Sequence, residues 1–189
     1  EKFFSNLFLI AVILFQGEIR RALAQIGSNP FFSGVSLAEE AHIIDELAKA
    51  IIQLAQKGYG ALVVLERDID LEYFVEVGVE LDAAIRPETM CSIFQPASPM
   101  HDGAVIIKTG RIHSAGCFLP LSNNPVLDKN LGTRHRAAVG LTEETDAYVF
   151  VVSEETRTVG LVHGGLLDPD LDHAQVRQAI SDILSIKMR

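Results

Sequence analysis

Residues Met100 to Leu119 read MHDGAVIIKTGRIHSAGCFL. An apolar run, Ala104 to Ile107, leads through Lys108 to the turn pair Thr109-Gly110 and a second run ending at Cys117. This is the signature of a β-hairpin. His101 and Asp102 immediately precede its first strand, so they sit in a loop at a sheet end. Gly103 leaves space there for a backbone or a ligand to come close.

Working outward, the segments on either side alternate between helical and strand patterns. Leu37 to Lys57 carries Ile43, Ile44, Leu47, Ile51 and Leu54 at helical spacing, with Glu39 and Glu40 early and Gly58 positioned as a C-cap. Ala61 to Arg67, ALVVLER, suits a buried strand, and YFVEVGVEL from Tyr73 adds one or two short ones. RPETMCSIF reads as a brief helix opened by Pro87. Thr133 to Glu144 suits a helix capped by Thr133, and AYVFVVS from Ala147 is another core strand. EETRTVGLVHGG turns into a further strand. Pro169 to Met188 is a closing helix with Val176, Ile180, Ile183 and Leu184 on one face. Strands and helices interleave without a strict βαβ repeat. The expectation is an α/β domain, a mixed central sheet flanked by helices, preceded by an N-terminal apolar helix.

That N-terminal segment, Phe3 to Phe15, is almost wholly apolar but runs only about a dozen residues, short of the roughly eighteen needed to cross a bilayer. It lacks a basic leader region and a small-residue cleavage site, which argues against a signal peptide. One reading is the end of a transmembrane helix, with Arg20 and Arg21 on the cytoplasmic side. The other is a buried or dimerisation helix. With no initiator Met, the chain reads as a fragment of a longer one, divided into a juxtamembrane part (residues 1–27) and a single α/β domain (28–189).

Composition narrows the function. A chain of 189 residues with net charge −9 has no basic stripe for nucleic acid, though a pocket for one nucleotide needs only a few local cations. The two cysteines, Cys91 and Cys117, form no metal-type cluster and read as reduced thiols.

Four motifs carry the chemistry. In HDGA, Asp102 can accept a hydroxyl proton or share a divalent cation with His101; the bland alternative is a turn aspartate. In GTRHR, Gly132 to Arg136, three basic side chains crowd a helix N-terminus. Backbone amides and the helix dipole there already favour an anion, so cations are misplaced for stability and well placed for a polyphosphate. A solvated basic patch is the other reading. VVSEET ends a strand in Ser153, Glu154 and Glu155, either a solvated turn or a metal ligand beside phosphates. CFLPLS offers Phe118 and Leu119 as a platform for a flat base, or as plain core. Neither a P-loop nor GxGxxG is present.

Taken in order and spacing, HDGAVII, CFLPLS, LGTRHRAAVG and VVSEET resemble the diadenylate cyclase (DAC) domain. ILFQGEIRRALAQIG resembles the lead-in of its membrane-anchored CdaA-type members. The similarity covers about residues 10 to 165. It implies condensation of two ATP into cyclic di-AMP with release of two pyrophosphates, Mg²⁺ or Mn²⁺ as cofactor, and a homodimer whose two domains face each other. It implies catalytic roles for Asp102, Gly103, Ala104, Arg134, His135 and Arg136. ATP would be bound by Phe118, Leu119, Gly132, Thr133, Ser153 and Glu154, and metal by Asp102, His101 and Glu154. It further implies attachment to the cell membrane, with the domain on the cytoplasmic side and no nucleic acid partner. Thr156-Arg157 and Val159-Gly160 depart from the family pattern, as does FQGE where FQPE is common. A non-catalytic nucleotide sensor on the same fold and a metal-dependent phosphohydrolase are the rival classes.

Overall fold

The computed structural model describes residues 37–185 apart from 76–77, 126 and 128–130; the expected N-terminal apolar helix lies outside the described residues. Helix α1 spans Leu37–Lys57. Gly58, at φ +70, ends it in a Schellman-type cap: Gly58 N–H donates to Ala55 O and Tyr59 N–H to Leu54 O, both at 3.0 Å. The chain then turns into β1, Ala61–Leu65, every residue of which is buried.

After β1 come the single-turn α2 (Glu72–Val75), β2 (Val79–Ala84), α3 (Pro87–Phe94), β3 (Ala104–Lys108) and β4 (Arg111–Cys117). They are followed by α4 (Thr133–Glu144), β5 (Tyr148–Val152), β6 (Val159–His163), β7 (Leu166–Asp168) and α5 (His173–Ser185). The seven strands form one sheet in the order β2-β4-β3-β1-β5-β6-β7. β1 and β3 are parallel, and the other pairings are antiparallel. The expected mixed sheet flanked by helices is therefore the architecture found.

Side chains alternate between two apolar layers, as strands buried on both faces require. Val63, Leu65, Val105, Ile107, Phe150 and Val152 pack under α1, α3 and α5. Leu62, Val64, Ala104, Ile106, Val149 and Val151 face α4 and α2. Each fully buried Leu, Ile or Phe contributes about 1.5–3 kcal/mol relative to exposure, so the sheet is held rigidly where its ends carry polar groups.

Three local expectations need correction. The stretch from Tyr73 begins as a helical turn rather than a strand: Asp70 Oδ1 accepts the Glu72 N–H at 2.9 Å and Glu66 Oε2 accepts the Leu71 N–H at 3.2 Å, which starts a helix. Helix α4 is capped by Gly132, not Thr133, without a side-chain cap hydrogen bond; the Gly132 carbonyl accepts the Arg136 N–H at 3.2 Å. The closing helix starts only at His173. Asp172 and Gln175 bond each other's backbone N–H groups at 2.8 Å, a reciprocal cap that fixes the start. The strand β7, which pairs back onto β6 across Gly164-Gly165, was not foreseen.

Candidate active site

The register gathers the motifs at one end of the sheet. Leu62 pairs with Ala104, Ala61 with Val152, Ala104 with Cys117 and Val152 with Val159. One step beyond that row stand Gly60, Gly103, Phe118, Ser153 and Thr158. The HDGA, CFLPLS and VVSEET motifs thus share a single edge. They do so because β1 and β3 run parallel while β4 and β5 run against them.

Asp102 is exposed in the loop that enters β3, and His101 is half-buried. The His101 ring is oriented by its Nδ1, 2.6 Å from the Ser98 carbonyl oxygen. With Nδ1–H donating to that carbonyl, Nε2 carries the lone pair, the tautomer a metal-binding histidine uses. Gly103, at φ +146, lets this loop lie directly on the end of β4.

Helix α4 brings the cationic triplet to the same edge. Arg134, His135 and Arg136 are all half-buried, while Gly132 and Thr133 are exposed at its N-terminus. Arg134 Nη1 lies 3.3 Å from Glu154 Oε2, so the end of β5 holds the first arginine of the triplet. Burial lowers the His135 pKa below the ordinary 6.5. The ring is neutral near pH 7, and the permanent positive charge of the triplet rests on Arg134 and Arg136. The segment after β4 is tied to the same helix. Ser122 N–H donates to Arg136 O at 3.0 Å, Ser122 Oγ donates to Glu143 Oε1 at 2.9 Å, and Gly140 packs directly against Pro120 and Ser122.

Phe118 is 61% exposed, an aromatic face open to solvent, whereas Leu119 is half-buried against the α4 layer. The two therefore divide the roles left open by the sequence: Phe118 is a surface, Leu119 partly core. Ser153 shapes the β5–β6 turn, its Oγ accepting the Thr156 N–H at 3.2 Å and its carbonyl the Arg157 N–H at 3.0 Å. Sequence reading passed over Gly60, which is buried beneath the Arg134 guanidinium; a glycine directly before a strand is too common to stand out. Both cysteines are free thiols, as expected.

The donor types at this end of the sheet are ones a divalent cation accepts. Asp102 supplies an exposed carboxylate, His101 a pre-oriented Nε2, and Glu154 a carboxylate shared with Arg134. Among the described residues no three or more His, Cys, Asp or Glu side chains are grouped to hold a metal by themselves. Hard cations of the Mg²⁺ type commonly take one or two carboxylates and complete their shell with substrate phosphates and water.

One end of the sheet thus carries a helix N-terminus, two arginines, an exposed carboxylate and an exposed aromatic ring. The family model described as DAC, DisA bacterial checkpoint controller nucleotide-binding, matches residues 48–167, and the chain belongs to this family. Among individual relatives, the cyclic di-AMP synthase CdaA of Bacillus subtilis is 42% identical over 185 residues, 96% of this chain and 66% of its own length. The diadenylate cyclase of Listeria monocytogenes serotype 1/2a is 41% identical over 176 residues, 92% of this chain and 64% of its own. The chain thus spans just under two-thirds of these relatives. A crystal structure of DacA from Staphylococcus aureus, a cysteine double mutant, superposes with TM-score 0.75 at 37% identity, covering 77% of this chain and 97% of that one. A hypothetical membrane spanning protein from Bacillus cereus gives TM-score 0.65 at 41% identity, covering 68% and 63%.

Proposed function

We propose that this chain is a diadenylate cyclase, a nucleotidyltransferase that joins two ATP molecules into cyclic di-AMP and releases two pyrophosphates. The observation that carries the reading is the shared sheet edge: Asp102 on one side, and Arg134 held by Glu154 at the α4 N-terminus on the other. The named activities of the relatives, cyclic di-AMP synthase and diadenylate cyclase, support it.

Each turnover forms two O3′–Pα bonds and breaks two Pα–O bonds to the departing pyrophosphates. Such chemistry needs positioning and charge stabilisation more than covalent help from the protein. Phe118 offers a stacking face for adenine, with Leu119 behind it. The α4 amides from Gly132 and Thr133, with Arg134 and Arg136, hold the triphosphate and stabilise the leaving charge. His135, neutral, contributes hydrogen bonding. Asp102 faces the 3′-hydroxyl and accepts its proton, with Gly103 and Ala104 leaving backbone room. Asp102, His101 and Glu154 are the residues that would hold Mg²⁺ or Mn²⁺, which when bound neutralises phosphate charge. Ser153 keeps Glu154 in place through the turn.

One domain holds one ATP as donor and lacks the second as acceptor, so two copies must meet face to face. Residues 1–27, with the apolar Phe3–Phe15 segment and Arg20-Arg21 behind it, would attach residues 28–189 to the cytoplasmic side of the cell membrane. The membrane spanning relative from Bacillus cereus supports that attachment. Among the described residues no helix is long and apolar enough to cross a membrane.

Incubation with ATP and Mn²⁺, with products identified by mass, tests the activity. A cyclic dinucleotide with pyrophosphate is expected. ATP bound but unchanged would indicate a sensor, and ADP or AMP with phosphate a phosphohydrolase; either overturns the reading.

A further inference from the structure

Gly60 is buried at the entry to β1, and its reason for being glycine lies outside its own backbone. It is not among the residues with positive φ, so an L side chain would suit its conformation. A Cβ placed on it, however, would stand 2.6 Å from Arg134 Nη1, 2.8 Å from Cζ and 3.3 Å from Nε. The Arg134 guanidinium occupies the space a methyl group would take. The nearest of these atoms, Nη1, is the one that also meets Glu154 Oε2 at 3.3 Å. Because Ala61 pairs with Val152, Gly60 and the Glu154 turn are neighbours on adjacent strands. They form a slot for one arginine.

We infer that Gly60 is a positioning residue for nucleotide binding: its missing side chain seats the Arg134 guanidinium at the site edge, where it meets the triphosphate. The inference rests on the reading of Arg134 as a phosphate ligand and adds what that reading leaves open, why the arginine has a fixed direction. Helix α4 sets where the Arg134 Cα stands. Gly60 and Glu154 set where its charge ends up. A long side chain with several free rotamers loses affinity when that direction is not imposed, since binding must then order it.

The test is a double-mutant cycle on ATP affinity, measured by calorimetry with a divalent cation present, in wild type, Gly60→Ala, Arg134→Ala and the double variant. Gly60→Ala alone is expected to weaken ATP binding about tenfold, the equivalent of one charge-assisted hydrogen bond. Its melting temperature should hold or rise, because alanine restricts the unfolded chain at a compatible backbone. In the Arg134→Ala background the same change should have no further effect, since the group it displaces is gone. An equal loss from Gly60→Ala in both backgrounds, or wild-type affinity in Gly60→Ala while Arg134→Ala binds weakly, overturns this inference alone. Equal affinity of wild type and Arg134→Ala overturns the phosphate role of Arg134 and this inference with it.

Discussion

A Cβ on Gly103 would stand 2.6 Å from the carbonyl carbon of Gly116 and 2.9 Å from the amide nitrogen of Cys117. The loop carrying Asp102 is therefore pressed onto the backbone end of β4, at the place where Phe118 emerges. Backbone cannot yield as a flexible side chain can, and φ +146 at Gly103 is a conformation L residues rarely adopt. Gly103→Ala is expected to cost about 2–3 kcal/mol. For a chain of this size that lowers the melting temperature by roughly 5–10 °C. Calorimetric scans of the two proteins check this, and an unchanged melting temperature would contradict the close approach.

Asp102 is exposed and no part of the core depends on it. Asp102→Asn keeps the shape while removing the charge that a hydroxyl proton and a cation both require. Cyclic di-AMP synthesis should fall by roughly two orders of magnitude or more, with ATP affinity less affected and the melting temperature unchanged. Near-normal turnover by the Asn variant would remove Asp102 from the chemistry.

Arg136 follows Arg134 into the first turn of α4 and is the second of the two permanent charges there. Arg136→Ala should weaken ATP binding by about 1–3 kcal/mol, with AMP or adenosine affected much less because they lack the triphosphate. Equal losses for ATP and adenosine would point to a structural effect instead.

Burial keeps the His135 imidazole below its ordinary 6.5. The unfolded chain therefore takes up a proton on this residue at a pH where the folded chain does not. Stability rises with pH wherever the unfolded state binds more protons. The contribution is present above 6.5 and is lost as pH falls toward the folded value. Between about pH 7.5 and 5.5, the melting temperature of wild type should drop further than that of His135→Gln. Parallel drops would show that the ring titrates normally.

If two copies must meet to pair their ATP molecules, specific activity rises with protein concentration while dimerisation is incomplete. If residues 1–27 hold copies in one membrane plane, which raises effective concentration, removing them should lower activity most in dilute solution. A subunit carrying Asp102→Asn mixed with one carrying Arg134→Ala should not restore full synthesis, because ring closure requires two bonds. Specific activity flat across a wide dilution series, with only monomer detected by mass, would argue for catalysis within one chain.

Local patterns in the sequence determined much of this molecule. Helical spacing from Leu37 to Lys57, Pro87 at a helix start, and Thr109-Gly110 between two apolar runs each act within a few residues. Those elements appear with the expected bounds. The cationic motif was legible for a similar reason, since cations at a helix N-terminus run against local stability, whereas Asp102 before a strand also reads as an ordinary turn residue. What only the tertiary structure decided is the order of the strands, with β1 between β3 and β5, and therefore which loops share an edge. It alone placed Gly60 under Arg134, tied Ser122 to Arg136, and turned Glu72–Val75 into a helix through Asp70 and Glu66. These relationships join residues distant in the chain through packing distances and hydrogen bonds, and no short-range periodicity encodes a contact that exists only after the layers have closed on one another.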